Sequence, residues 1–403
     1  MTHLKFAALI LLPLLTACGE APQNESVSET IKIGGLFSRT ALPKFIEPAL
    51  NASQMALEET NAAGGVKGQP LELIVRDDRG NTSDGLQATQ EFLLRHDVKA
   101  IFGATFDNVA SAVSQVARRE QVPFFSMAGA DSRLTWQRGH DYIFVMEQAS
   151  GVTAKVLAQR AAETSATRWA FISSDFDYGR SITRDFQSTL KELKPDAEFV
   201  AEFWPPVGKL DAGPTVQALA ASQPDGIFIS LFDSDLAKYL RQARLRGLMD
   251  GDIVYIHPNI GWPEQASFLK DVDLGGWHAA GHPGRAIGTS EYIAFADAYK
   301  ARYGSEPVYS AALAYSMMKM IAAAMNAAED LSGSAIVAAA EGLPVQTPLG
   351  ETFFRPQDHR ISKGEWIGIM RQKDGKPQLS DFQQIDVQAL SPSAAEIQEM
   401  REN

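Results

Sequence analysis

From Ile31 onward, short apolar runs alternate with stretches whose apolar residues recur at helical spacing. Residues 31–37, 71–75, 100–103 and 123–127 form the first four runs. Each is largely continuous rather than alternating, which is the pattern of strands covered on both faces of a parallel sheet. Between them, residues 45–63, 83–95 and 107–119 carry helical periodicity. The first of these stretches ends in Asn61-Ala62-Ala63-Gly64-Gly65, where glycine can take the positive φ that stops a helix. Strand and helix in alternation predict an open, doubly wound α/β sheet.

The rhythm then starts again. Apolar runs at 169–174, 199–204, 225–230 and 252–257 are separated by helical patterns at 179–192, 214–222 and 234–246. Two successive α/β units predict two lobes. Two longer helical stretches follow at 291–303 and 309–328, then a β-rich end containing residues 366–371. The tail from Leu390 is polar and acidic, and no element is predicted in it.

The chain start follows another pattern. Lys5 precedes an apolar stretch, residues 6–15, broken only by Pro13, and the small residues Thr16 and Ala17 lead to Cys18. Such a stretch is too short to span about 30 Å of hydrocarbon but suits a signal peptide, here residues 1–17. Leu15-Thr16-Ala17-Cys18 resembles a bacterial lipobox, in which the cysteine is acylated and becomes the new N-terminus. An ordinary secretory signal is the alternative. Cys18 is the only cysteine of the chain, so no disulfide or thiol nucleophile can form in the mature protein. Residues 18–30 are polar and read as a flexible tether.

Composition narrows the function. The 403 residues are 45% hydrophobic and carry a net charge of -12, without any Lys/Arg run. This argues against an electrostatic grip on nucleic acid or on an anionic membrane surface. No nucleophile elbow, phosphate loop or dinucleotide fingerprint occurs, so an enzyme is not indicated and no cofactor is implied. His278 and His282 have the i, i+4 spacing of a helical metal pair, but their Gly-rich surroundings read as strand and turn, so no metal site is expected.

Several stretches resemble the branched-chain-amino-acid-type solute-binding proteins, the receptors of ABC importers with the type I periplasmic-binding fold. These are the opening Ile31-Lys32-Ile33-Gly34-Gly35-Leu36, the run from Leu57 to Leu71 around Asn61-Ala62-Ala63-Gly64-Gly65-Val66-Lys67-Gly68, and Asp77-Asp78. Ser126, Asp177-Tyr178-Gly179, the run Leu240 to Arg244, and Pro348-Leu349-Gly350 with Phe353-Phe354-Arg355 continue the likeness in the same order. The resemblance implies two doubly wound parallel-sheet lobes joined by three crossover segments, near residues 145–150, 281–283 and 346–350. Residues 31–146 and 283–347 would form the first lobe, 147–282 and 348–386 the second, and 387–403 a polar tail. It also implies a monomer that closes on its ligand about these crossings, outside the cytoplasm, and serves an importer permease.

Carried over position by position, the resemblance nominates Phe45, Phe106, Asp107, Ala128, Ala130, Tyr178, Phe232 and Asn259 as ligand-binding residues, with Trp262 near them. Asp107 stands where the family's amino-acid binders have a carboxylate-gripping serine, Ala130 where they have a threonine, and Asn259 near their ammonium-pairing acid. A carboxylate at position 107 would repel a substrate carboxylate, while an N-cap role opening the next helix is its ordinary structural use. Asp131, Asp175 and Asp233 also end strands, where capping and turn formation are the ordinary roles.

The expectation is therefore a lipid-anchored receptor for a small organic solute, an amide, amine, urea-like or aromatic compound rather than a standard branched-chain amino acid. A regulatory envelope lipoprotein and a branched-chain amino acid receptor proper are the alternatives.

Overall fold

The computed structural model describes residues 1–2, 29–127, 129–266, 269, 272–373 and 375–402. The first unit runs β1 (Ile31–Phe37), α1 (Pro43–Ala62), β2 (Leu71–Asp77), α2 (Thr82–His96), β3 (Ala100–Gly103), α3 (Asp107–Glu120), β4 (Phe124–Ser126) and β5 (Ile143–Val145). Its sheet has the order β2-β1-β3-β4-β5 and is parallel throughout.

The second unit runs α4 (Ser150–Ala162), β6 (Arg168–Ser173), α5 (Asp177–Leu193), β7 (Glu198–Phe203), α6 (Ala212–Ala221), β8 (Gly226–Ser230), α7 (Asp233–Leu245), β9 (Val254–Gly261), α8 (Pro263–Ala266) and β10 (His278–Gly281). The chain then returns to the first unit with α9 (Ser290–Tyr303), α10 (Tyr309–Ala327), α11 (Gly333–Ala340) and the hairpin β11 (Val345–Thr347) and β12 (Gly350–Thr352). It ends in β13 (Glu365–Lys373), β14 (Lys376–Ile385) and α12 (Ala394–Glu402). The second sheet has the order β14-β13-β10-β9-β8-β6-β7, parallel except for the antiparallel hairpin β13-β14 at its edge.

The central strands of each sheet are buried on both faces, which accounts for their continuous apolar runs. In the first, Ile33, Phe102 and Phe125 pack against Ile46 and Ala49 of α1 and Met317, Met318 and Ile321 of α10. Ile101 and Phe124 pack on the other face against Phe92 of α2 and Val109 and Val113 of α3. In the second, Ile227 and Ile229 meet Leu219, Leu236 and Tyr239 on one side. Trp169, Phe171 and Phe228 meet Leu157, Ile182 and Phe186 on the other.

Strand order reverses beside β1 in the first sheet and beside β6 in the second. Such switch points open a crevice at the carboxyl ends of the strands. Glycine shapes both. Gly103 ends β3 at φ +115°, where a Cβ would lie 1.9 Å from the Leu36 carbonyl oxygen, so the chain can turn tightly into α3. A Cβ on Gly179 would lie 2.0 Å from the Ser174 carbonyl oxygen, which fixes the start of α5 around Tyr178.

The structure departs from the sequence reading in two places. The third passage lies beyond the expected boundary after residue 347. β12 pairs with β11, and Phe354 and Ile361 belong to the core of the first sheet. There Phe354 lies 5.8 Å from Phe125 and 5.0 Å from Phe144. Backbone bonds from Val145 N–H to the His359 carbonyl (2.9 Å) and from Ile361 N–H to the Val145 carbonyl (3.0 Å) dock this segment beside β5. The tail likewise folds. Ile397 of α12 is 1% exposed, packed among Trp136, Ala149, Val152 and Val387.

Candidate functional site

The carboxyl ends of β3, β6, β8 and β9, with the helix starts that follow them, carry most of the residues predicted from sequence. Tyr178 begins α5 and is 8% exposed, and its hydroxyl donates to Asn259 Oδ1 at 3.0 Å. Burial drives the Tyr178 phenol far above its ordinary pKa. The Asn259 segment is held in turn by His257, whose Nδ1 accepts the backbone N–H groups of Asn259 (3.0 Å) and Ile260 (3.1 Å). Phe232 lies 6.2 Å from Tyr178 and 5.8 Å from Phe176, so three rings share this corner.

Phe106 and Asp107 enter from the first lobe. Phe106 occupies the N-cap position of α3 without a side-chain cap, and Asp107 is the first helical residue. The expected capping role of Asp107 is therefore corrected: one of its oxygens accepts the Asp131 N–H at 3.4 Å instead. Burial, reinforced by the neighbouring Asp131 charge, pushes the Asp107 carboxyl up to about 7. The fixed negative charge expected there becomes a group that holds its proton into the neutral range. Asp131 goes the other way. Arg133 at 2.7 Å and Arg138 at 3.2 Å hold it below the usual carboxylate range, and it caps a short 3-10 turn through the Arg133 N–H. Arg133 also faces Asp177 of α5 at 3.8 Å, an ion pair between the two units.

Phe106 does not join the ring cluster; it leans over Gly80, where a Cβ would lie 2.8 Å from its ring. Ala130 is half-buried against the second-lobe core that holds Tyr178. Ala128 and Cys18 lie outside the described residues. Asp175 is paired with Arg180 at 2.8 Å, and that guanidinium sits 3.9 Å over the Trp204 ring. His278 begins β10 and His282 follows its last residue, Gly281, and no cluster able to hold a metal occurs among the described residues.

A second wall is built where the chain passes between the units. Phe45 of α1 faces Trp262 of the second unit at 6.3 Å, and Trp262 lies 5.1 Å from Tyr309 at the start of α10. The His282 ring is 4.9 Å from that of Tyr309, and Lys363 Nζ sits 5.4 Å over its face. The Tyr309 hydroxyl donates to Glu147 Oε2 at 3.2 Å. Burial pushes Glu147 up to about 7 and raises Glu365, with Lys363 opposing both shifts. Burial pushes His282 down to about 3, leaving a neutral ring. On α8, Glu264 bridges the units by accepting the Ser310 N–H at 2.6 Å.

Behind this wall the passages are tied together. Gln148 Nε2 donates to the Lys363 carbonyl at 2.6 Å. The fully buried Arg360 donates to the Glu147 carbonyl (3.0 Å), the Asp131 carbonyl (2.8 Å) and Thr135 Oγ1 (2.7 Å). Sequence reasoning missed Glu147, His282 as a wall residue, Tyr309, Lys363 and Glu365. The available signal was their position in or beside the chain passages.

The chain matches the family model described as "Periplasmic binding protein" over residues 30–376. It is 26% identical over 366 residues to Leu/Ile/Val-binding protein homolog 8 of Brucella abortus (strain 2308), an overlap covering 86% of this chain and 89% of that protein. A solute-binding protein of an ABC transporter from Rhodopseudomonas palustris BisB5, solved with 3,4-dihydroxybenzoic acid, has TM-score 0.78 at 21% identity, covering 89% of this chain and 98% of that one. The branched-chain amino acid transporter substrate-binding protein LivJ of Streptococcus pneumoniae, solved with isoleucine, has TM-score 0.77 at 23% identity, covering 89% and 100%.

Proposed function

The chain belongs to the periplasmic binding protein family, in its type I, branched-chain-amino-acid form, and on that premise we propose that it receives its solute between the two walls just described. The family consists of extracytoplasmic receptors that hand small molecules to ABC permeases and catalyse nothing. Three passages between the units make hinge closure around the ligand the working motion. Tyr178, Phe232, Asn259, Asp107 and Ala130 line one side, and Phe45 faces Trp262 on the other. Phe106 and Ala128 complete the set carried over from the sequence.

The cargo is a small organic solute of the amide, amine, urea-like or aromatic class rather than a standard branched-chain amino acid. The observation that carries this reading is a pair of aromatic faces from opposite units, Phe45 and Trp262, linked through the Tyr309 ring to the buried carboxyl of Glu147. Asn259 is spent on the Tyr178 hydroxyl and offers no charge for an α-ammonium group. The proton held by Asp107 makes an aromatic acid, the ligand of the Rhodopseudomonas protein, compatible with the first wall.

Thermal-shift screening of the mature protein against these classes, followed by small-angle scattering, tests the proposal. A compound that raises the melting temperature and compacts the molecule is expected. If no compound shifts the melting temperature and the two units stay fixed, the receptor reading fails.

We also propose that Cys18 carries a lipid anchor, on the strength of Leu15-Thr16-Ala17-Cys18 and a cysteine without other use. Labelled palmitate should enter the wild-type protein in its host and not Cys18→Ser.

A further inference from the structure

Two polar atoms around Tyr309 lack partners. Glu147 gives Oε2 to the Tyr309 hydroxyl, but its Oε1 is buried with no hydrogen-bond partner among the described residues. His282 is 2% exposed, and its Nε2 is also buried without a partner among them. The tautomer of His282 follows from its other nitrogen. Nδ1 accepts the Gly284 N–H at 3.2 Å, so in a neutral ring the proton sits on Nε2. Around one phenol ring there is thus an open carboxyl oxygen and an open donor, with the Trp262 ring tilted against it at 5.1 Å. Leaving either buried group unsatisfied costs more than an ordinary hydrogen bond gains.

The two vacant positions differ in sign, and this selects among the solute classes above. An ammonium group would satisfy Glu147 but leave the His282 N–H without an acceptor. A carboxylate would satisfy His282 but brings no N–H to Glu147 Oε1 and sets a second acid beside a carboxyl whose ionisation burial already disfavours. A planar group carrying both a carbonyl and an N–H satisfies the two together. Resting on the receptor reading, we infer that Glu147 and His282 form a subsite for a primary carboxamide or urea group, with His282 Nε2–H donating to its carbonyl and its N–H donating to Glu147 Oε1. The attached aromatic or apolar body lies toward Trp262 and Phe45.

Four probes of one shape test this: benzamide, benzylammonium, benzoate and acetophenone. Calorimetry on the full mature chain should show benzamide binding at least about tenfold tighter than each of the other three, the loss expected for one unsatisfied buried group. His282→Phe should erase the preference over benzylammonium, and Glu147→Met the preference over acetophenone. His282→Gln, which keeps an N–H donor, should restore part of the first. Equal binding of benzamide and acetophenone by the wild type overturns the inference, because water would then serve the two groups as well. Should either variant lack a cooperative thermal transition, the wild-type series decides alone. Scattering with isoleucine and 4-hydroxybenzoate separates the two levels of the argument. If one of them compacts the protein while benzamide shows no preference, only the subsite falls; if no probe does, the receptor reading falls with it.

Discussion

The two walls of the interlobe region use buried polar groups in opposite ways. On the strand-end wall the ionised carboxylate and the phenol are matched within the protein: Asp131 by Arg133 and Arg138, and the Tyr178 hydroxyl by Asn259. Matching keeps Asp131 ionised and holds rings and loops in one arrangement. On the hinge wall the matching is incomplete. Glu147 and His282 each keep one buried atom without a partner among the described residues, and both are pushed toward their neutral forms. Satisfied groups fix the shape of a site, whereas unsatisfied ones are free to be completed by what enters it. A buried polar residue is therefore better judged by its vacant valence than by its charge.

The largest expected effect comes from removing the group that ties the walls together. Arg360 donates from one guanidinium to the Glu147 carbonyl, the Asp131 carbonyl and Thr135. Arg360→Met should cost about 3 kcal/mol of stability in urea unfolding, since it strands buried acceptors on both walls. A loss below about 1 kcal/mol would mean that the walls are held independently.

Next in size is a pH effect of Glu147 on the hinge wall, which Asp107 parallels on the other. Burial raises Glu147 from its ordinary 4.5 to about 7, so the folded protein binds this proton more tightly than the unfolded chain. That contribution is fully present below about pH 4.5 and is lost as pH rises through about 7. Chemical unfolding of wild type and Glu147→Gln across that window should differ in slope by up to one proton, roughly 1.4 kcal/mol per pH unit. Parallel curves would remove Glu147 from the contrast. Tyr178→Phe probes the matched wall instead. It should cost about 1 kcal/mol by leaving Asn259 Oδ1 unpaired, with no such change in pH slope.

The same contrast explains what could be read from the chain. Strand-end residues were legible because each sits a few positions beyond an apolar run whose end is itself legible. Phe106 and Asp107 follow β3, Phe232 follows β8, and Tyr178 opens α5 after β6. What those residues touch was not legible. Phe106 turned to Gly80, and the Asp107 carboxyl turned to the Asp131 backbone rather than to its own helix. Of the hinge wall only Phe45 and Trp262 were legible, because Glu147, His282, Tyr309 and Lys363 come from separate segments of the chain and share no period. The third passage was misplaced for a related reason. Residues 353–361 lack a strand-like run, yet they dock beside β5 through backbone bonds and the Phe354 ring, which no local pattern announces.

The smallest expected effect is that of Arg401 in the tail, which packs behind the hinge rather than in the cleft. Val387 and Ile397 close over Trp136 of the first unit and over Ala149 and Val152 where the second begins. From the last turn of α12, Arg401 donates to the carbonyls of Thr135 (3.1 Å) and Trp136 (3.0 Å), while Lys155 of α4 donates to the Leu390 carbonyl (3.1 Å). The tail thus leaves the second sheet and grips the first unit without entering either wall. Because Arg401 is partly solvated and its acceptors are backbone carbonyls that water can serve, Arg401→Ala should cost no more than about 0.5 kcal/mol. Ile397→Ala removes a fully buried side chain and should cost more, about 2 kcal/mol. Thermal melts and urea unfolding of both variants give the ranking. If Arg401→Ala proved the costlier change, the tail would be held by its polar grip rather than by packing, and its distance from the two walls would no longer make it a passive element.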